Sequence, residues 1–234
     1  MHLSGLVGIP LLYMIGMSMN EDMTPQKMQV LASAYWVVIS FFIALIIILL
    51  ILRKAEPVTK IEKAEPLPFG PSILWAIGGI FLAFFAQMIA ISIETAIGIE
   101  PGSENTEAII DIITILPIVM IVSSILGPIL EEIVFRKIIF GSLYNRFSFL
   151  LSALISSMLF AVAHMDWSHI ILYTAMGITF SYLYWRTKRI IVPIISHVMM
   201  NTFVVLVQYV FKDEIEKMIE KGDKIQGFIG GMFG

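Results

Sequence analysis

The segment EEIVFR, residues 131–136, sets two adjacent carboxylates and a guanidinium inside an apolar stretch of a chain that is 58% hydrophobic. Carboxylates in such a setting can move protons or activate water, and an arginine can hold them in place. A charge at the centre of a membrane helix costs about 2.5 to 3.5 kcal/mol on insertion scales, so these side chains belong to a protein interior or a water-filled cavity. On a helix Glu132 and Arg136 share nearly one face, with the acid nearer the N-terminus, the favourable order for an ion pair. Glu131, one residue earlier, points about 100° away. The spacing predicts a paired, structural Glu132 and a Glu131 free to serve a cavity. Taken alone, the same three charges could equally staple helices together or sit at a membrane interface.

Two further patterns add to this one. FAVAH puts Phe160 and His164 one helical turn apart near the end of an apolar run, and HVMMN does the same for His197 and Asn201. Each histidine by itself fits a hydrogen-bonded packing role, and Asn201 alone could join helices. Depth brings them together. With a turn at residues 144–148, Glu131 and His164 both lie about 22 to 26 Å from it, at 1.5 Å per residue. His197 and Asn201 lie about 15 and 20 Å from a basic turn near Thr187. A polar cluster within the bilayer follows, and Ser152, Ala153, Ser156 and Ser157 form a small-residue pattern that lets helix backbones approach.

The elements that must carry this cluster are membrane helices. With 234 residues, 14% of them charged, and a mean hydropathy of +0.90, the chain cannot build an ordinary soluble surface. Apolar runs recur at residues 3–17, 33–52, 72–93, 108–130, 149–163, 168–185 and 190–211. The fourth continues through Gly127-Pro128 to Tyr144, and Pro128 is expected to kink or restart it. The expected fold is an all-α, polytopic transmembrane bundle of about seven or eight spans, a single integral membrane domain over 1–234. The first run has no Lys or Arg before Lys27, so it lacks the positive region of a cleavable signal. Basic residues at Arg53, Lys54, Lys60 and Lys63, and again at Arg186, Lys188 and Arg189, place both connections on the cytoplasmic side. An even number of crossings must separate them, which favours seven spans. The charged, proline-rich stretch from Arg53 reads as an extended membrane-surface connection. The tail, 212–234, reads as a short amphipathic segment resting on the membrane.

Other classes recede. A net charge of −3 gives no electrostatic footprint for nucleic acid. No cysteine occurs, which removes thiolate ligands and a catalytic thiol. Gln87 reads as a helix-packing contact, His169 as a membrane-interface residue, and His2 is terminal.

In order, Glu131-Glu132-Ile133-Val134-Phe135-Arg136, Phe160-Ala161-Val162-Ala163-His164 and His197-Val198-Met199-Met200-Asn201 resemble the EExxxR, FxxxH and HxxxN motifs of the CAAX prenyl protease and bacteriocin-processing family (CPBP). That family includes the abortive-infection proteins. The resemblance covers about residues 127–208, inside a protease-like core at about 108–211. Lys137 departs from it, standing where many members have glycine, and is expected to alter packing rather than chemistry. The resemblance implies an intramembrane endopeptidase, a hydrolase of peptide or protein substrates in the lipid bilayer, suited to a bacterial plasma membrane. It implies Glu131 as the base, His164 as the residue that holds or polarises water, and His197 and Asn201 as oxyanion donors, with Glu132 and Arg136 in support. Family members are commonly labelled metalloproteases. Glu131, His164 and His197 could hold a divalent metal such as zinc, although no HExxH occurs and the same side chains can activate water unaided. Two other classes share these features: a non-enzymatic membrane scaffold or immunity protein, and an ion- or proton-coupled transporter, whose repeated halves are not seen here. Oligomeric state and substrate identity are not encoded in any residue pattern found.

Overall fold

A computed structural model describes residues 2–20, 22–100, 102–212 and 214. The expected tail at 212–234 therefore lies, apart from residues 212 and 214, outside the described residues. The rest is an all-α bundle with no strand among the described residues. In chain order the helices are α1 (His2–Met19), α2 (Pro25–Lys54), the single turn α3 (Lys60–Lys63), α4 (Phe69–Ala96) and α5 (Glu104–Ile115). They continue with α6 (Ile118–Tyr144), α7 (Phe149–Ala163), α8 (Ile170–Thr187) and α9 (Ile191–Val210). Among the described residues α2, α4, α6 and α9 are long and apolar enough to cross a membrane. The apolar helices α1 and α7 are shorter, and α8 runs through the middle of the bundle.

Local sequence starts and stops these rods. Thr24, Ser103 and Ser148 accept backbone N–H groups at the openings of α2, α5 and α7. Lys188, in the left-handed region at φ 57°, ends α8 and turns its N–H onto the Tyr184 carbonyl. Apolar on most sides, α8 buries Leu172, Tyr173, Met176, Phe180 and Leu183 against α4, α7 and α9. Small residues permit that closeness. A Cβ on Gly177 would sit 2.6 Å from Ser157 of α7, and one on Gly79 would sit 2.4 Å from Ser196 of α9. At the edge, α1 packs on α2, where Gly8 lies flat against the Trp36 ring.

At Pro128 the helix that carries EEIVFR restarts in register without breaking: a π stretch ends at Leu126 and an α-helical one begins at Gly127, with Pro128 in its first turn. The break falls at Leu116 (φ −136°, ψ 87°), pushed out of the helical region by Pro117. Gly127 precedes the other proline, has no Cβ to clash with its ring, and stays helical at φ −54°, ψ −63°. Two stretches of α6, Val122–Leu126 and Glu132–Phe140, take the wider π register, and Gly127 N–H reaches back to the Val122 carbonyl. A wider turn leaves carbonyls to be satisfied from outside. Ser156 of α7 does so at 2.6 Å from the Phe135 oxygen.

The stretch from Arg53, expected as an extended membrane-surface connection, is largely exposed but carries one docked turn of helix. Thr59 and Glu62 form a capping box around α3, Ile61 is buried with Phe140, Ala153 and Tyr184, and Lys60 N–H donates to Asn145 at 2.7 Å. Leu67 N–H meets the Thr187 carbonyl at 2.9 Å, and Arg189 Nε meets the Leu67 carbonyl at 2.6 Å. The two basic connections thus touch at one end of the bundle, as an even number of crossings between them requires. Lys137, the residue unlike the family pattern, reaches out of α6 to pair with Glu62.

Burial pushes the Glu62 carboxyl up, but hydrogen bonds from Lys137 and Thr59 outweigh it and hold its pKa below the ordinary value. A carboxyl depressed on folding stabilises the fold above its unfolded pKa, about 4.3, and loses that contribution as pH falls through the lower folded value. Thermal unfolding of the purified protein from pH 7 to pH 3 should therefore show an acid-side loss of stability that Glu62→Gln makes smaller. Superimposable pH profiles for the two proteins would exclude the clamp.

Candidate active site

At the core of the site is a chain of charges across two helices. Arg136 and Glu132 of α6 are both fully buried, with Arg136 Nε 3.2 Å from Glu132 Oε2. The pair is held by charge rather than by an aligned hydrogen bond. The guanidinium instead rests on aromatic faces, 4.2 Å from the Phe160 ring centre and 5.4 Å from that of Phe180. Such contacts are worth about 2 kcal/mol or more when desolvated. Phe160, the first residue of the FAVAH pattern, is therefore a seat for the arginine. The other carboxylate oxygen, Glu132 Oε1, accepts from His197 Nδ1 of α9 at 2.9 Å. The His197 ring stacks on Phe180, with centroids 4.5 Å apart and planes 20° apart. Its far nitrogen, Nε2, stands 3.8 Å from Glu131 Oε2.

The two adjacent carboxylates differ in kind. Glu132 is sealed, whereas the Glu131 side chain is 29% exposed and faces a cavity of about 680 Å³. His164, His197 and Asn201 line the same cavity. At the C-terminal end of α7, His164 donates from Nδ1 to the Phe160 carbonyl at 2.8 Å. A carbonyl can only accept, so the neutral ring carries its proton on Nδ1 and keeps a lone pair on Nε2. The four residues singled out by motif spacing thus come from α6, α7 and α9 to one space.

Other lining residues carried no signal in the sequence strong enough to select them. Gln87, expected as a packing contact, is 2% exposed and lines the cavity. Tyr173 of α8 does so too, and α1 and α2 close the far wall with Leu6, Ile9 and Trp36. His169 is the residue that opens α8, in the connection from α7. It is buried against Glu94 of α4, with Nδ1 2.8 Å from Oε2, while Glu94 Oε1 accepts Leu172 N–H at 2.9 Å and so caps α8. Glu94 gives little signal in the sequence because it falls at the very end of an apolar run.

Among the described residues no group of three His, Asp or Glu side chains is arranged to hold an ion. His197 donates from Nδ1 to Glu132 and His164 from Nδ1 to a backbone carbonyl, bonding that orients Nε2 of each ring as the open nitrogen and is usual for metal-ligating histidines. It is the spacing of Glu131, His164 and His197, not their bonding, that falls short of a three-ligand metal site among the described residues.

A family model described as Rce1-like, type II CAAX prenyl endopeptidase, matches residues 113–203, which contain all three motifs. YdiL of Bacillus subtilis (strain 168), named as a candidate membrane peptidase, is 48% identical over 235 residues, covering 100% of this chain and 94% of its own length. The membrane-embedded CAAX protease MroQ of Staphylococcus aureus (strain USA300) is 39% identical over 201 residues, covering 83% of this chain and 81% of its own length. No solved structure matches.

The burial of the charge chain separates the two glutamates experimentally. Glu132→Ala leaves Arg136 as an uncompensated buried cation and should cost about 3 to 5 kcal/mol of stability. Accumulation in the membrane and melting temperature should both fall, whereas Glu131→Ala, at a partly open position, should change either far less. Equal losses for the two variants would contradict the division of labour.

Proposed function

Because the chain belongs to the Rce1-like family, and is a bacterial integral membrane peptidase acting on peptide or protein chains, we propose that it hydrolyses a peptide bond inside the bilayer with water activated by Glu131 and His164. What supports this reading above all is the convergence of Glu131, His164, His197 and Asn201 on one cavity, with His197 tied to the buried Glu132–Arg136 pair.

Each group has a role that its bonding suits. His164, protonated on Nδ1, offers the Nε2 lone pair to one hydrogen of a water molecule and so fixes the water's orientation. The Glu131 carboxylate accepts the other proton as the water oxygen forms a bond to the peptide carbonyl carbon. His197 already donates from Nδ1 to Glu132, so to donate from Nε2 as well it must be imidazolium. In that form Nε2–H, together with the Asn201 amide, stabilises the oxyanion of the tetrahedral intermediate. Glu131 then returns its proton to the leaving nitrogen as the C–N bond breaks, giving an acid and an amine with one water consumed. Glu132 and Arg136 touch no substrate. They hold His197 and the helix in register.

Glu131→Gln keeps the shape of the side chain and removes the base. In proteoliposomes with a panel of internally quenched peptides, the variant should lose cleavage while accumulating like wild type. Retained cleavage would remove Glu131 from this role, and a wild type that cuts none of the panel while binding peptides in a Glu131-independent way would favour a scaffold. Incubation with a strong chelator before the assay should leave the rate unchanged. A loss restored by zinc would instead assign the chemistry to a bound metal.

A further inference from the structure

A second polar network stands behind His164, outside the set of residues assigned above. Tyr173 of α8 lays its ring on that of His164, with centroids 4.1 Å apart and planes 26° apart, while Phe160 meets the imidazole edge-on at 4.4 Å and 62°. The Tyr173 hydroxyl is 3.0 Å from Ser103 Oγ. Ser103 Oγ in turn donates to Asp166 Oδ2 at 2.7 Å and accepts from Thr106 N–H at 3.3 Å. Ser103 and Asp166 are buried, and Tyr173 is 6% exposed. The Asn105 side chain stands beside the same hydroxyl.

Proton accounting gives the network a direction. A serine hydroxyl has one proton and two lone pairs. The Ser103 proton goes to the Asp166 carboxylate, which only accepts, so the proton between Ser103 and Tyr173 must come from tyrosine. The bonds therefore run from Tyr173 O–H to Ser103, and from Ser103 O–H to Asp166, and Ser103 is fully used. The tyrosine hydroxyl is spent on this tether rather than on the cavity, so its ring is what the site uses. Asp166 lies two residues past His164, in the connection to α8, and Ser103 caps α5. The tether thus fixes the ring against the very segment whose histidine it supports.

We propose that Tyr173 is a positioning residue for His164. Its ring, anchored through Ser103 and Asp166, holds the imidazole so that Nε2 points into the cavity. This rests on the assignment of His164 to the reacting water. A misplacement of about 1 Å can cost about 10²-fold in rate, and a neutral hydrogen bond worth about 1 kcal/mol corresponds to about fivefold.

The test is steady-state kinetics on an internally quenched peptide that the wild type cuts, with melting temperature recorded for each variant. Tyr173→Leu removes the ring and should lower kcat about 10²-fold with KM little changed, the pattern of a lost transition-state interaction. Tyr173→Phe restores the ring without the tether and should recover all but about fivefold of the rate. Ser103→Ala keeps the ring and releases the tether from its other end, so it should match Tyr173→Phe, and the double variant should be no slower than either single. That second pair decides the matter even if Tyr173→Leu fails to fold. A Tyr173→Leu enzyme with wild-type kcat, a Tyr173→Phe enzyme as slow as Tyr173→Leu, or additive losses in the double variant would each overturn the proposal. Glu131→Gln and His164→Ala are assayed alongside. If they stay active, the reading of the site has failed; if they are dead while Tyr173→Leu keeps its kcat, only the positioning role has.

Discussion

The arrangement of this bundle depends on burying one guanidinium where no water can reach it. Arg136 has no exposure at all, and a charge in a low-dielectric interior must be met by opposite charge, polarisable faces or both. Here Glu132 supplies the charge, and Phe160 and Phe180 supply the faces. Those partners come from α6, α7 and α8, and Glu132 adds His197 from α9. A single cation therefore dictates the mutual placement of four helices. An arginine at this position is costly in isolation, so every packing that leaves its partners elsewhere is disfavoured. Such a requirement acts as a specification of register more than as a source of net stability.

Register is also what the backbone spends effort on. The π stretch Glu132–Phe140 covers the buried pair and ends two residues short of Ser142, while Glu131 sits on the last α-helical turn before it. Widening the helix there changes the angle at which the following residues leave the axis. The stray carbonyl of Phe135 is accepted only because Ser156, on the small-residue face of α7, comes within 2.6 Å. The pattern Ser152, Ala153, Ser156 and Ser157 thus serves two ends: it lets α8 approach at Gly177, and it supplies a hydroxyl to an irregular helix.

Much of this was legible in the sequence because the governing rules are local. Helical angle separates Glu131 from Glu132, rise per residue brings His164 to the depth of Glu131, and apolar length marks the rods. What the sequence hid depended on contacts between distant segments. Pro117 and Pro128 look alike in a hydropathy profile, yet only the one preceded by leucine breaks the helix, because Gly127 has no Cβ to clash. The stretch after Arg53 looks solvated by composition, but Ile61 and the Thr59–Glu62 box fold it under the bundle. Glu94 and His169 sit 75 residues apart, too far for any periodicity to link them. Tyr173 could have been any aromatic in a core helix until its hydroxyl found Ser103.

Charge accounting ties the sealed pair to the open cavity. Arg136 and Glu132 cancel, so the state of the remaining groups sets the net charge of the cluster. With Glu131 ionised, an imidazolium at His197 makes the whole cluster neutral, the cheapest condition for groups enclosed by lipid-facing helices. On the proposed reaction this balance survives the chemistry: as Glu131 takes the proton of water it loses its charge, and an equal negative charge appears on the substrate oxygen beside His197. The negative charge moves from one side of the imidazolium to the other without leaving the site. A preorganised cation that first faces a carboxylate and then an oxyanion needs no reorganisation of solvent, which is scarce there. On the proposed reaction Glu132 fixes that cation and Arg136 fixes Glu132, so a fully buried charge acts on the chemistry through two intervening residues.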